Sequence, residues 1–537
     1  MPASAAQTEQ DTLRSFFDRR HPMYGDMVTH WKFLEASYKG GRAWFENNLF
    51  KYLKEGDKEF TDRKERAYRF NHTREVVELV QKYLFKAAIS RNDEDAPEEV
   101  KTFWKSAMLN GFDIGQLMRQ TSVKSSIGGR IALVVDNTLD EKLDSEGNVL
   151  PASVAETEGA RVYAYAVPAQ DVLDYAWDED GDGELLWIKL REWVRDDADP
   201  IKSSGDVEER IRLWTREGWV LYHESEEKIR KGRSVTYKVE EVASGTHGLG
   251  MVPVRLVDHT VSSDPYHCPG LIDDIAYLDR AIANYLSNLD AIIQDQTFSQ
   301  LAIPAQAIQR GDDMYQKVLD MGTKRIFVYD SGQGSSAVPH FLAPDPKQAG
   351  VILTVINKII NEIYHTVGLA GERTKEDNAV GIDNSSGVAK AYDFERVNSL
   401  LLSKATSCEA AENWLVMMVM AWHGKDFQEK LVTYPTTFDV MRLVDDLVTA
   451  EALQKIDAPD EMRREQLRMM IDKIFPQLKK EIKDRILQDI EAWKSTPDPA
   501  EMPKPSGNKP AAAASRQGSV TKDTPSKEDA KEPAKSS

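Results

Sequence analysis

The chain has 537 residues, of which 41% are hydrophobic and 29% are charged, and its formal net charge at pH 7 is −19. This length allows a large core and two to four structural units, and the excess of carboxylates excludes a protein that coats DNA regardless of sequence. With 2 cysteines far apart, Cys268 and Cys408, the sequence predicts neither a disulfide framework nor a zinc site. No run approaches ~18 consecutive apolar residues, so we predict no membrane-spanning helix.

The first half of the chain changes from helical to strand-like patterning. Residues 1–125 are predicted to be helical, because apolar residues such as Trp31, Leu34 and Tyr38 recur at helical spacing. Residues 126–265 contain short runs rich in β-branched and aromatic residues, which predict antiparallel strands. The runs are 130–136, 162–167, 185–190, 211–214, 219–222 and 235–239.

Two helices with apolar seams are predicted in the second half, with a strand at 325–329 between them. The first helix, at about 270–298, has apolar residues at alternating spacings of four and three: Leu271, Ile275, Leu278, Ile282, Tyr285, Leu289 and Ile292. The second has Ile352, Ile356, Ile359 and Ile363. We expect the two seams to pack against each other and against neighbouring copies, because such long apolar seams are not left exposed on a monomer.

The rest of the chain contains a loop, more helices and a tail. A Gly/Asn/Ser-rich loop at 368–387 precedes a helix that starts at about Val388. Residues 439–493 again have helical patterning, interrupted by Pro459 and Pro476. From 496 onward Pro, Ala, Lys and Ser dominate, which predicts a disordered tail.

Two short motifs are interpreted as surface turns. Residues 178–183 match the first half of a calcium-binding loop, but Lys189 stands where the closing glutamate is required. Residues 332–337 fit G-x-G-x-x-A, but Pro339 follows where a phosphate-binding helix would start. His365 is interpreted as a packing or capping residue. We therefore assign no catalytic, cofactor-binding or metal-binding residue, and we predict that the protein is not an enzyme.

The succession of elements resembles the portal proteins of tailed bacteriophages, which connect head and tail. The likeness rests on Cys268–Asp290 with its mid-helix Ser287, on Phe298–Pro304, and on the step Ser386–Lys390 before another helix. One departure is Lys390, where that family often has a hydrophobic residue. The resemblance implies an α+β, mainly helical subunit. Its parts would be a wing at 1–265 with a further wing helix at 388–435, stem helices at 266–298 and 346–367, a small clip at 299–345, a tunnel loop at 368–387, a helical crown at 436–495 and a disordered tail at 496–537.

The function that the resemblance implies is a ring, usually of twelve copies, at one vertex of the phage head. Double-stranded DNA would pass through it during packaging and ejection. The partners would be the major capsid protein, a terminase motor and a head-tail adaptor, with assembly in the host bacterial cytoplasm and no cofactor.

The tunnel loop is expected to face the DNA, with a weak hold because carboxylates surround its cations. Its candidate residues are Arg373, Lys375, Asn378, Gly381, Asn384 and Gly387. Two alternatives stay open: another oligomeric virion or scaffold protein without a DNA channel, and a hydrolase that uses dispersed carboxylates.

Overall fold

The computed structural model divides the chain into two compact units, Met1–Val440 and Met441–Ser537. The structure describes residues 2–53, 55–86, 88–138, 160–178, 183–228, 235–262, 264, 266–297, 300–304, 326–329, 338–342, 345–368, 387–436, 438, 460–474 and 480–492. Helices and antiparallel sheets both occur in these residues, which confirms the predicted α+β class. Among the helices described, none has the length and apolar character needed to cross a bilayer.

Among its described residues, the first unit has seven helices in its N-terminal part and three long helices further along the chain. The N-terminal helices are α1 (Pro2–Asp18), α2 (Tyr24–Lys39), α3 (Arg42–Asn48), α4 (Asp57–Arg66), α5 (His72–Leu84), α6 (Glu98–Lys105) and α7 (Ile114–Gly128). The long helices are α8 (Ile275–Thr297), α9 (Pro346–Thr366) and α10 (Gly387–Trp422).

Side-chain caps fix where several of these helices begin. Asn71 accepts a hydrogen bond from the Arg74 backbone N–H at the start of α5, and Asp113 accepts one from Gln116 at the start of α7. Asp345 caps α9, and a proline occupies the first turn, where no backbone donor is needed.

The strands that the structure describes in the first unit form four sheets. The strands are β1 (Ser90–Arg91), β2 (Arg130–Asn137), β3 (Val162–Val167), β4 (Val172–Trp177), β5 (Leu185–Arg195), β6 (Val207–Thr215), β7 (Gly218–Lys228), β8 (Val235–Thr246), β9 (Val254–Asp258), β10 (Gln300–Pro304), β11 (Ile326–Tyr329), β12 (His340–Leu342) and β13 (Val432–Thr433). Three sheets are antiparallel, with orders β1-β13, β3-β2-β9 and β4-β5-β6-β7-β8. In the fourth, β10 pairs parallel with β11 and antiparallel with β12.

The main core of this unit joins the helices to the three-stranded sheet of β2, β3 and β9. Val76 and Val80 of α5, Leu117 of α7 and Leu133 of β2 all lie in it, and none is exposed. A second apolar cluster around Trp214 packs the five-stranded sheet against β2. The seams of α8 and α9 join the main core, so the long helices are integral to the subunit.

The first long helix begins later than its sequence pattern predicts. It starts at Ile275, so residues 266–274, including Leu271 of the predicted seam, lie before it. Pro269 lies within this segment, and the Leu271 backbone N–H donates to the Ser126 carbonyl of α7 at 2.8 Å. Leu271 is partly buried against the main core even though it lies outside the helix.

The second unit contains α11 (Asp460–Ile474) and α12 (Lys480–Ala492). The two helices contact each other, and Arg468 of α11 forms an ion pair with Glu491 of α12 at 2.6 Å. Both lie within the predicted crown. The predicted tail, 496–537, lies outside the described residues.

Candidate functional site: the helical hairpin

The helical hairpin consists of α8, the sheet of β10, β11 and β12, and α9. The two helices pack together and run antiparallel, because the chain leaves α8 and returns to α9 through one small sheet. We call the end with the sheet the tip. We call the opposite end the base, where Asp279 of α8 and Tyr364 of α9 contact neighbouring residues of α5.

The predicted seam residues of the hairpin are mostly covered within one chain. Ile275, Ile282, Leu289, Ile356 and Ile363 are buried. Leu278, Tyr285, Ile352 and Ile359 are partly buried against the main core. Ile292 is half-buried. The seam alone therefore does not require a second copy, contrary to the expectation that its length would leave it exposed on a monomer.

A hydrogen bond anchors the base of the hairpin to α5, and a buried ion pair anchors it to the segment just before that helix. Asp279 of α8 is fully buried and accepts a hydrogen bond from the Thr73 hydroxyl at 2.8 Å. The Arg69 guanidinium lies 3.3 Å from the same carboxylate and stacks 4.0 Å from the Trp44 ring centre. Burial lowers the pKa of Arg69, and the charge of Asp279 acts in the opposite direction. Because each ion compensates the other in a dry site, removing one would leave an uncompensated charge.

The end of α9 is held at the same place by a second set of polar contacts. The Tyr364 hydroxyl donates to Glu75 and lies 3.2 Å from His72 Nδ1. His72 and Glu75 are both on the first turns of α5. The start of α8 and the end of α9 are therefore fixed to one end of one helix.

A third contact holds α8 about halfway along its length. Arg63 of α4 is buried and donates to the Ser287 hydroxyl at 3.0 Å. It also makes two hydrogen bonds of 2.7 Å to Glu55, and its guanidinium lies over the Tyr52 ring. The hydrogen bond from Arg63 lowers the pKa of Glu55. This fork geometry gives Arg63 one fixed orientation toward α8.

In contrast to the base, the tip presents large apolar side chains to solvent. Phe341 of β12 is 70% exposed and Val351 of α9 is 64% exposed. Other exposed apolar residues near the tip are Ile293, Val338, Leu342 and Leu353. A cluster of this kind at one end of a fixed element marks an interaction surface.

The other residues singled out from the sequence lie elsewhere. Residues 369–386 lie outside the described residues, and they contain Arg373, Lys375, Asn378, Gly381 and Asn384. Residues 332–337 also lie outside them. Gly387 is the first residue of α10. Asp178 forms an ion pair with Arg216 at 3.4 Å, and His365 contacts Arg396 at 3.4 Å. Within the described part of the chain, no group of three His, Cys, Asp or Glu side chains is placed to hold a metal.

Two buried polar clusters on α10 were missed by sequence reasoning. Lys404 is 1% exposed, and its ammonium contacts the Ser122 carbonyl at 3.0 Å, the Ser125 hydroxyl at 3.3 Å and His259 Nδ1 at 2.9 Å. Burial lowers the pKa of Lys404 to about 8, and burial together with Lys404 lowers the pKa of His259. Three acceptors match the three donors of an ammonium group, so this cluster joins α10 to α7 and the end of β9.

The second cluster joins α10 to the small sheet of β1 and β13. Glu412 is fully buried and accepts hydrogen bonds from Arg91 at 2.5 Å and from the Tyr434 hydroxyl at 2.8 Å. The pKa of Tyr434 is raised mainly by burial and secondly by the negative charge of Glu412. No local pattern indicates this site, because Arg91 and Glu412 are 321 positions apart.

Comparison with known proteins adds little to these observations. No family model matches the sequence, and no curated protein matches it. Among solved structures, one that is similar is described as "Neck of empty GTA particle computed with C6 symmetry". It is 9% identical, the alignment covers 78% of this chain and 89% of that chain, and the TM-score is 0.32. Because this score is too low to establish a common fold, the functional conclusion rests on the residues of this chain.

Proposed function

We propose that this protein is a portal-like structural subunit of a phage-type virion and that it assembles into a closed ring. The observation that carries the proposal is the helical hairpin, whose base is fixed by buried polar contacts while its tip exposes Phe341 and Val351. Identical apolar tips can cover one another when copies are arranged around an axis. The order of elements along the chain, which resembles portal proteins, supports the same proposal.

A DNA conduit is the role that best fits the charge of such a ring. A ring of twelve copies would carry twelve times the net charge of −19. Each phosphate neutralised by a cation adds affinity, so an acidic wall lets DNA pass without holding it. In this proposal the ring conducts double-stranded DNA into and out of a capsid, docking a terminase and a head-tail adaptor in turn, and it resides in the virion.

The ring is tested by measuring its mass and by imaging. Native mass spectrometry of the purified chain is expected to show one species at a multiple of 60.6 kDa, and negative-stain images should show an axial hole. A species that stays monomeric at high protein concentration would overturn the proposal. A ring without an axial hole would instead favour an oligomeric virion or scaffold protein.

The contribution of the tip is tested by introducing charge there. Phe341→Asp with Val351→Asp is expected to prevent assembly without changing helix content, because a carboxylate cannot be buried unpaired at an apolar contact. Ile201→Asp with Val207→Asp is the matched control, since both side chains are exposed but lie outside the hairpin. Equal assembly of both variants would show that the tip is not a contact between copies.

The proposed contact of the 368–387 loop with DNA rests on sequence alone. Gly381→Pro is expected to leave the ring intact and to block packaging in a reconstituted phage system, because proline stiffens the loop. Arg373→Ala with Lys375→Ala is expected to act more mildly. Normal packaging and retention by the proline variant would remove this loop from the channel.

The proposal includes no catalytic activity of the protein's own, so the energy for packaging would come from the partner motor. Purified protein is expected to turn over no ATP. Turnover that survives repeated purification and follows the ring peak would instead support an enzyme.

A further inference from the structure

A groove in the first unit lies between α2, α5 and α7, and its lining includes no residue of the helical hairpin. Its volume is about 780 Å³. Apolar and aromatic side chains line it from α2 (Tyr38), from the residue that follows α5 (Phe85) and from α7 (Val123 and Ile127). Such a lining can receive apolar side chains of a bound polypeptide.

Three exposed cations line the same groove. Lys82 is on α5, Lys86 lies just beyond the end of that helix, and Arg119 is on α7. None of the three forms an ion pair with a carboxylate among the described residues, although Arg119 lies 5.7 Å from the Phe85 ring centre. In this acidic chain other cations do have carboxylate partners, as Arg63 and Arg91 do.

The remaining charges of the groove do not neutralise these cations. Glu35 forms an ion pair with Lys39 at 2.8 Å, so its charge is already matched. The Lys124 ammonium donates to the Ala166 carbonyl, and burial lowers its pKa. The lining has one other carboxylate, Glu78, compared with the three cations Lys82, Lys86 and Arg119. The groove is therefore locally basic on a chain whose net charge is −19.

We propose that this groove binds an acidic, amphipathic segment of a partner protein. Carboxylates of the segment would meet Lys82, Lys86 and Arg119, while its apolar side chains would rest on the lining around Phe85 and Val123. The apolar lining favours a peptide over DNA, because a phosphodiester backbone has no apolar side chains to place there. At physiological salt, screening over about 8 Å makes these nearby cations more important than the distant negative charge.

A fluorescent peptide tests the site with the full-length protein. The probe is a fluorescein-labelled decapeptide in which pairs of Glu alternate with pairs of Leu. Its binding is measured by fluorescence anisotropy at low and at moderate salt. We expect saturable binding that weakens as salt rises. A peptide with Gln in place of Glu and one with Ser in place of Leu should each bind at least about tenfold more weakly. The first lacks the carboxylates that meet the cations, and the second lacks the apolar side chains that rest on the lining.

Matched charge reversals locate the binding. Lys82→Glu/Lys86→Glu/Arg119→Glu is expected to weaken binding by about tenfold or more, because three favourable charge pairs become repulsive. The control is Lys58→Glu/Lys105→Glu/Lys430→Glu, which changes the net charge equally at exposed residues outside the groove. Equal loss in both variants would overturn the proposal, because it would show a response to net charge alone.

Two further results would also overturn the proposal. If a double-stranded oligonucleotide binds the groove more tightly than the acidic peptide and displaces it, the ligand is nucleic acid. If the groove variant alone loses self-association without added peptide, the groove is a contact between copies. Since peptide binding is measured whether or not the protein forms a ring, failure here leaves the portal-like proposal standing.

Discussion

At the scale of single residues, the turn between α7 and β2 depends on a glycine. Gly129 has φ +75°, a conformation that L-residues rarely adopt, and an added Cβ would lie 1.8 Å from the Cys268 carbonyl oxygen. The Cβ position is fixed by the Gly129 backbone and the Cys268 oxygen is itself a backbone atom, so neither side-chain rotation nor a small shift can relieve the clash. The Gly129 carbonyl also accepts a hydrogen bond from the His259 backbone at 2.7 Å.

Gly129→Ala is therefore expected to destabilise the first unit by about 3 kcal/mol or more, combining φ strain with the backbone clash. Calorimetry should show a lower Tm. Gly25→Ala is the control, because Gly25 is in α2 and an added Cβ there meets nothing within 4 Å. That variant should keep or slightly raise the Tm. Equal Tm values for the two variants would contradict the assigned geometry.

Lys404 is expected to make stability depend on pH in the alkaline range. Its pKa falls from 10.5 to about 8 on folding, so between these values the unfolded chain binds more protons and stability rises with pH. Burial raises the pKa of neighbouring Cys408 from 9.0 to about 11. Between these values the folded chain binds more protons at this thiol, so the thiol makes stability fall as pH rises. The lysine contribution alone is on the order of 3 kcal/mol.

Lys404→Met removes the titrating amine but retains a side chain of similar length. From pH 8 to pH 10, the unfolding free energy of the parent protein is expected to rise relative to that of this variant. The difference can be measured by urea denaturation at several pH values. A difference that does not change with pH would show that Lys404 has the same pKa in the folded and unfolded chains.

At the scale of elements, the helical hairpin depends on a charge pair at its base. Asp279→Ala is expected to cost about 3–5 kcal/mol, because it leaves the Arg69 guanidinium buried without its partner. Arg69→Met with Asp279→Leu removes both charges and should recover much of that loss. Hydrogen exchange at α5 and α8 should report both effects. A double variant less stable than Asp279→Ala alone would show that Arg69 does not need Asp279.

Patterns within one element were predictable from the sequence, whereas pairings between distant elements were not. The β3 strand occurs where alternation predicts it, at Val162–Val167. β5 extends beyond its predicted run to Arg195, because charged residues near its end continue the ladder with β6. β4 and β9 were not predicted. Each is short and interrupted by charge, and each is stabilised by strands that the sequence does not identify as its neighbours.

The same distinction applies to the candidate site. Periodicity identified the apolar seam, but it could not indicate that Asp279, beside that seam, would be buried against Thr73, 206 positions away. Nor could composition distinguish a seam covered by the chain's own core from one covered by a second copy. Periodicity also did not mark the exposed tip residues, because Ile293, Val351 and Leu353 lie beside the seam positions of α8 and α9, and Phe341 lies in a strand of three residues.

At the scale of the whole molecule, assembly is expected to depend on the first unit and not on the tail. Truncation after Lys494 should leave the native mass of the ring unchanged, because the sequence beyond it is Pro/Lys/Ser-rich with few large apolar residues. The untruncated chain, prepared in parallel, is the control. Dissociation of the truncated protein into monomers would show that the tail is a structural arm.

The position of the polar contacts along α8 has a mechanical consequence. Besides Asp279 and Ser287, Asn284 forms hydrogen bonds with the backbone of Asn48 and Phe50, and Asp290 lies 3.7 Å from Arg66. These contacts extend over about 16 Å of the helix, and its last residue, Thr297, lies about 10 Å beyond Asp290. A sideways force on the end of the helix is therefore carried mainly by the contact nearest that end. Under strain applied at the tip, the half-exposed ion pair of Asp290 with Arg66 would be the first of these contacts to yield.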